Sequence, residues 1–117
     1  MKTELSSVDK TPEYIQLATT VNDEKKAKEI ARELLENRMV ACVQIIGPIK
    51  SSCWWKDKII QTNEWMCLAN ARAEDYGKIE DALKKVHPYD VPEILAVPIF
   101  GNLAYLNWIH EETAPRL

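Results

Sequence analysis

Residues 40–71 read VACVQIIGPIKSSCWWKDKIIQTNEWMCLANA, and the way this stretch pairs with itself decides the fold. Over 40–55 the chain is strand-like throughout except at Gly47-Pro48. Proline cannot donate to a ladder, so that pair marks a bulge, a bend or an edge position. Residues 56–59, KDKI, are a polar interruption in which Asp57 can take the positive φ of a tight hairpin. The chain then returns over 59–71 as a second long strand. Each strand spans roughly 13 to 16 residues against a usual mean of about 5 to 6. At about 3.3 Å per residue they reach on the order of 45–50 Å. A compact chain of this length has a radius of gyration near ~13 Å and a diameter of about 35 Å. The hairpin is therefore expected to overhang its own body, with Cys53, Trp54, Trp55, Ile59 and Ile60 at the tip and Trp65 nearer the base. Long exposed edges with such side chains aggregate unless another chain pairs with them. A small symmetric ring, each hairpin extending a neighbour's sheet, is the simplest closed solution. The alternative breaks the strands at Gly47-Pro48 and folds the tryptophans back on the monomer.

Outward from the hairpin, YIQLATTV (14–21) reads as a central strand. Asn22 can cap the helix that follows, with Asp23 and Glu24 suited to its N-terminus. Ala27, Ile30, Ala31, Leu34 and Leu35 form one apolar face, and Asn37 is placed to end the helix in a left-handed conformation. Residues 74–86, EDYGKIEDALKKV, make a second amphipathic helix, its Gly77 tolerable in a first turn. A fourth strand follows at 93–100 and a closing helix at 103–112. The order β-α-β-β-α-β plus a helix predicts an α+β fold, the ferredoxin-like split βαβ with an extended hairpin between its second and third strands. One domain is expected over 13–114, with a loose N-terminal tail over 1–12 and a short C-terminal tail over 115–117.

Fifteen basic against eighteen acidic residues give a net charge of −3 with no basic stripe, so no nucleic-acid partner is expected. No apolar run approaches the roughly 20 residues that cross a bilayer, and the start lacks a secretory signal. Three cysteines, Cys42, Cys53 and Cys67, without a C-x-x-C pair read as reduced thiols in a cytoplasm. No nucleophile elbow, P-loop, HExxH or glycine-rich dinucleotide turn is present. No enzyme activity and no organic cofactor are therefore expected.

The stretch VHPYDVPEIL (86–95) holds His87, Tyr89, Asp90 and Glu93 on a backbone stiffened by Pro88 and Pro92. Pro88 disfavours α geometry at His87 and ends the helix there, where the dipole welcomes a histidine. Glu93, and less so Asp90, stand just before an apolar strand, paired with a basic group or facing a cleft. Trp54, Trp55 and Trp65 fit interface packing better than base stacking, since no basic groove accompanies them. Lys58 can clamp an anion or simply be solvated. His110 reads as a surface residue.

Four segments, ENRMVACVQI, CWWKDKI, HPYDVPEIL and YLNWI, stand in this order and spacing. Together the chain resembles the CutA divalent-cation tolerance family over about residues 14 to 112. The resemblance implies a ferredoxin-like subunit, a tight homotrimer built through the hairpins, and a link to copper or another divalent metal. It makes Cys42 and His87 the metal candidates; thiolate and imidazole suit copper or zinc better than magnesium, while a buried cysteine in VACVQI is first a small hydrophobe. The expected cleft takes His87, Tyr89 and Glu93 from one chain and Trp55 and Lys58 from a neighbour, with Cys42 beneath. Three positions depart from the family pattern. Ala18 stands where some members carry cysteine, Asp57 where many carry glycine, and Asn70 where many place lysine. Rival readings are a small-molecule sensor like the PII trimers, or a structural trimer that organises partner proteins.

Overall fold

The computed structural model describes residues 12–116, so the tail expected over 1–12 lies, except for Pro12, outside the described residues. The elements run β1 (Tyr14–Val21), α1 (Glu24–Glu36), β2 (Cys42–Trp55), β3 (Lys58–Arg72), a 3-10 turn (Ala73–Asp75), α2 (Tyr76–Val86), β4 (Leu95–Pro98) and α3 (Leu103–Thr113). They form an α+β fold with one four-stranded sheet in the order β2-β3-β1-β4, every neighbouring pair antiparallel.

The alternation along β1 and β3 divides this sheet into two faces. Ile15, Leu17 and Val21 of β1 and Cys67, Ala69 and Ala71 of β3 are buried with Ala27, Ile30 and Leu34 of α1 and Ile79 and Leu83 of α2. Each fully buried isoleucine or leucine contributes about 1.5–3 kcal/mol. The opposite face carries Gln16, Ala18 and Thr20, Met66, Leu68 and Asn70, and from β4 Leu95 and Val97, both exposed. Helix α3 covers one end of it. There Asn70 accepts from Gln16 Nε2 at 3.2 Å and donates to the Tyr105 hydroxyl at 2.9 Å. Arg72, also buried, pairs with Asp75 at 3.1 Å and donates to the Thr113 carbonyl at 2.9 Å.

The ends of the elements correct the sequence reading in detail. Asp23, not Asn22, caps α1, its carboxylate accepting from Lys25 N–H at 2.9 Å; a carboxylate is the better acceptor at a positive helix end. Asn37 is not left-handed: its φ is −90° and its side chain donates to the Glu33 carbonyl, while Arg38 takes the positive φ of 58°. Arg38 N–H reaches Leu35 O and Met39 N–H reaches Leu34 O, the paired bonds of a Schellman end. The Arg38 guanidinium holds Glu112 at 2.8 Å and so ties this turn to α3. Strand β4 is half the length expected, running only Leu95–Pro98, with Ile99 N–H still bonded to Tyr14 O at 3.1 Å just beyond it.

The hairpin is long. β2 runs 14 residues and β3 runs 15, paired from Cys42 opposite Asn70 to Trp55 opposite Lys58. Register shifts between Ile46 and Ile49, around a cis Gly47–Pro48 peptide, and the ladder then resumes. Trp65 lies against Gly47 so closely that a Cβ there would fall 2.6 Å from its Cγ. Both turn residues, Lys56 (φ 51°) and Asp57 (φ 64°), are left-handed, as a two-residue hairpin turn of the primed type requires. The molecule measures 51 × 35 × 22 Å with a radius of gyration of 15.9 Å, above the ~13 Å of a compact chain this long.

Candidate functional site

The His-Pro-Tyr joint fixes the site. Helix α2 ends when His87 turns extended (φ −75°, ψ 135°) ahead of Pro88, its N–H still bonded to Leu83 O at 2.8 Å. The buried ring then makes two bonds. Its Nδ1 accepts from Tyr89 N–H at 3.2 Å, so Nε2 carries the proton and donates to the Thr20 carbonyl at 3.0 Å. The ring is thereby held as the neutral Nε2–H tautomer, and burial lowers its pKa below the usual 6.5. Tyr89 packs edge-on against it, centroids 4.9 Å apart, and donates its hydroxyl to Glu64 Oε2 at 2.6 Å. Burial, then the Glu64 carboxylate, raises the Tyr89 pKa far above the ordinary range. Thr20 Oγ1 reaches Glu93 Oε1 at 3.5 Å. The joint is thus laced to the ends of β1 and β3.

Between this joint and the overhanging hairpin lies a cavity of about 460 Å³. Cys53, Trp54, Trp55 and Ile60 form its hairpin wall, and Tyr89, Asp90, Val91 and Glu93 its joint wall, with Thr20 and Glu64 between them. Among the described residues its lining holds three carboxylates and no lysine, arginine or histidine.

Of the residues singled out in the sequence, Trp54, Trp55, Tyr89, Asp90 and Glu93 come together within one chain. Lys58 pairs with Trp55 in the ladder but does not line the cavity. His87 stands behind Tyr89 with both ring nitrogens engaged. Cys42 lies opposite Asn70, four residues along β3 from Met66, the partner of Thr20, a separation of about 13 Å. Cys42 and His87 therefore do not share one metal within a chain. Among the described residues no three His, Cys, Asp or Glu side chains group closely enough to hold a metal ion. Of the other thiols, Cys53 is exposed, while Cys67 is buried, faces the Ala27 carbonyl at 3.7 Å and has its pKa pushed up to about 11 by burial.

Sequence reasoning missed Glu64 and the site role of Cys53. A signal for Glu64 existed: it is the one ionisable acid inside a strand of β-formers and apolar residues, at a position that alternates onto the face of Met66 and Leu68.

The comparisons agree with this architecture. A family model described as CutA1 divalent ion tolerance protein matches residues 15–112. The divalent-cation tolerance protein CutA of Thermus thermophilus is 38% identical over 95 residues, 80% of this chain and 92% of that one. A crystal structure of CutA1 from the psychrotrophic bacterium Shewanella sp. SIB1 superposes with a TM-score of 0.86 at 36% identity, covering 90% of this chain and 99% of that chain. The Archaeoglobus fulgidus structure, described as a periplasmic divalent cation tolerance protein, gives 0.83 at 36% identity over 86% of this chain and 98% of its own. Fold, span and identity all point the same way, and the chain belongs to the CutA1 divalent ion tolerance family.

Proposed function

We propose that the chain is a homotrimeric divalent-cation tolerance protein of ferredoxin-like subunits, without enzyme activity, working in the cytoplasm. The observation that carries this is the overhang: Trp54 is 73% and Ile59 65% exposed at the end of a ladder that outruns the core. A soluble monomer does not leave such a ribbon bare. Leu95, Val97 and Ile46 add further exposed apolar groups on the open face of the sheet, and a ring of three copies would cover both. The cytoplasmic location rests on three unpaired thiols.

Copper binding, in this reading, is weak and falls between subunits. One chain offers Cys42 only as a lone thiol and His87 only after it gives up a hydrogen bond. A nucleotide-sensing role is disfavoured, because a cavity lined, among the described residues, by three carboxylates and no cation repels phosphates. Sedimentation at micromolar concentration tests the assembly. A particle of three times the 13.4 kDa chain mass is expected, and a stable single-chain particle refutes the reading. Copper titration of wild type beside Cys42→Ala and His87→Ala tests the ligands; equal affinities in all three remove both residues.

A further inference from the structure

We propose that the cavity between hairpin and joint binds an aliphatic ammonium ion, with its charge among Glu64, Asp90 and Glu93 and its methylene stem against Trp54, Trp55 and Ile60. This goes beyond the divalent-metal reading above, and it rests on that reading only in that the assembled trimer must leave the cavity open.

Charge is the first reason. Glu64 is 7% exposed, and its only partner among the described residues is the neutral Tyr89 hydroxyl. None of the three carboxylates forms an ion pair among the described residues. A carboxylate withdrawn from water without a cation pays a desolvation cost that an arriving cation offsets. The walls are the second reason. An indole face attracts cations through its quadrupole, and Trp55 already draws Lys56 Nζ to 5.7 Å from its ring centroid. Size is the third. A cavity of about 460 Å³ suits a small organic molecule and is far too large for a bare metal ion, for which no three donors converge. Indole, isoleucine and valine walls cannot ligate a hard cation, yet they accept methylenes readily.

The test uses the full chain with n-butylammonium and its uncharged analogue n-butanol, followed by calorimetry and by tryptophan emission. Saturable binding of butylammonium is expected, with butanol weaker by about tenfold. Glu93→Gln and Trp55→Leu should each weaken the ammonium by about threefold to tenfold and leave butanol nearly unmoved in the glutamine variant. Equal binding of ammonium and alcohol, no binding of either, or unchanged affinity in both variants overturns the proposal. Sedimentation of the same samples reads the assembly separately. A trimer that ignores butylammonium sinks this inference alone, whereas a monomer that binds it sinks only the assembly.

Discussion

The two halves of the hairpin obey different rules. Below the register shift, Val43 and Ile45 of β2 and Cys67 and Ala69 of β3 point at α1 and pack into the core. Above it, the last four pairs of the same ladder, Ser52 opposite Gln61 through Trp55 opposite Lys58, are exposed on both strands. The ladder resumes above the shift; the support does not. Backbone pairing alone gives a marginal two-stranded ribbon, so what holds the upper half in a folded protein must come from outside it. The lower half packs into the core, and the upper half walls the cavity and, in the proposed trimer, would pack against a neighbouring copy.

Truncation at each end of this contrast should give the widest separation. Ile79 of α2 is fully buried in the core that the lower half also joins, and Ile79→Ala is expected to cost about 2–5 kcal/mol in denaturant unfolding. Ile59→Ala at the tip removes a side chain that one chain does not bury. It should cost under about 0.5 kcal/mol at dilution where the chain is monomeric, and should instead raise the concentration at which the assembly dissociates. Equal, concentration-independent losses in both variants would erase the contrast. The boundary itself is next. Gly47→Ala drives a methyl group into the Trp65 ring, an overpacking expected to destabilise by about 1–3 kcal/mol. Trp65→Leu in the same background should recover part of that loss.

Much of this was legible in the residues, and for physical reasons. The amphipathic faces of α1 and α2 repeat Ala27, Ile30, Leu34 and Ile79, Leu83 at helical spacing, and burial follows that spacing, while Leu35 at the edge of the α1 face stays exposed. The ribbon's excess length could be counted, and the molecule is 51 Å long. Ends were less legible because neighbouring residues compete for one geometric task. Asn22 and Asp23 both suit a cap, and Asn37 and Arg38 compete for the left-handed turn, where the Arg38–Glu112 ion pair favours the residue with weaker intrinsic preference. The site was half visible. Tyr89, Glu93 and Trp55 announce themselves beside prolines and in a turn. Glu64 does not, because its burial depends on a tyrosine 25 residues away in sequence.

Two smaller effects probe the ends of the ribbon. At the tip, both turn residues carry side chains where left-handed φ favours Asn and Gly. Replacing Lys56 and Asp57 together by Asn and Gly should stabilise the chain by about 1 kcal/mol, seen as a higher denaturant midpoint with an unchanged slope. Removing Lys56 also frees the Trp55 ring from its cation, so butylammonium affinity should rise rather than fall.

At the joint, the readout is pH. His87 is held neutral, its pKa below the 6.5 of the unfolded chain. Between the two values the unfolded state binds more protons than the folded one, so stability rises with pH there. The His87 contribution is complete above about pH 6.5 and is lost progressively as pH falls through the folded value. Protonation also removes the lone pair that accepts from Tyr89 N–H, which loosens the joint wall of the cavity. Chemical unfolding between pH 4 and 8 should therefore show a loss of stability below pH 6.5 that His87→Leu flattens. A wild-type profile that does not change across that window would mean the ring is not held as its hydrogen bonds require.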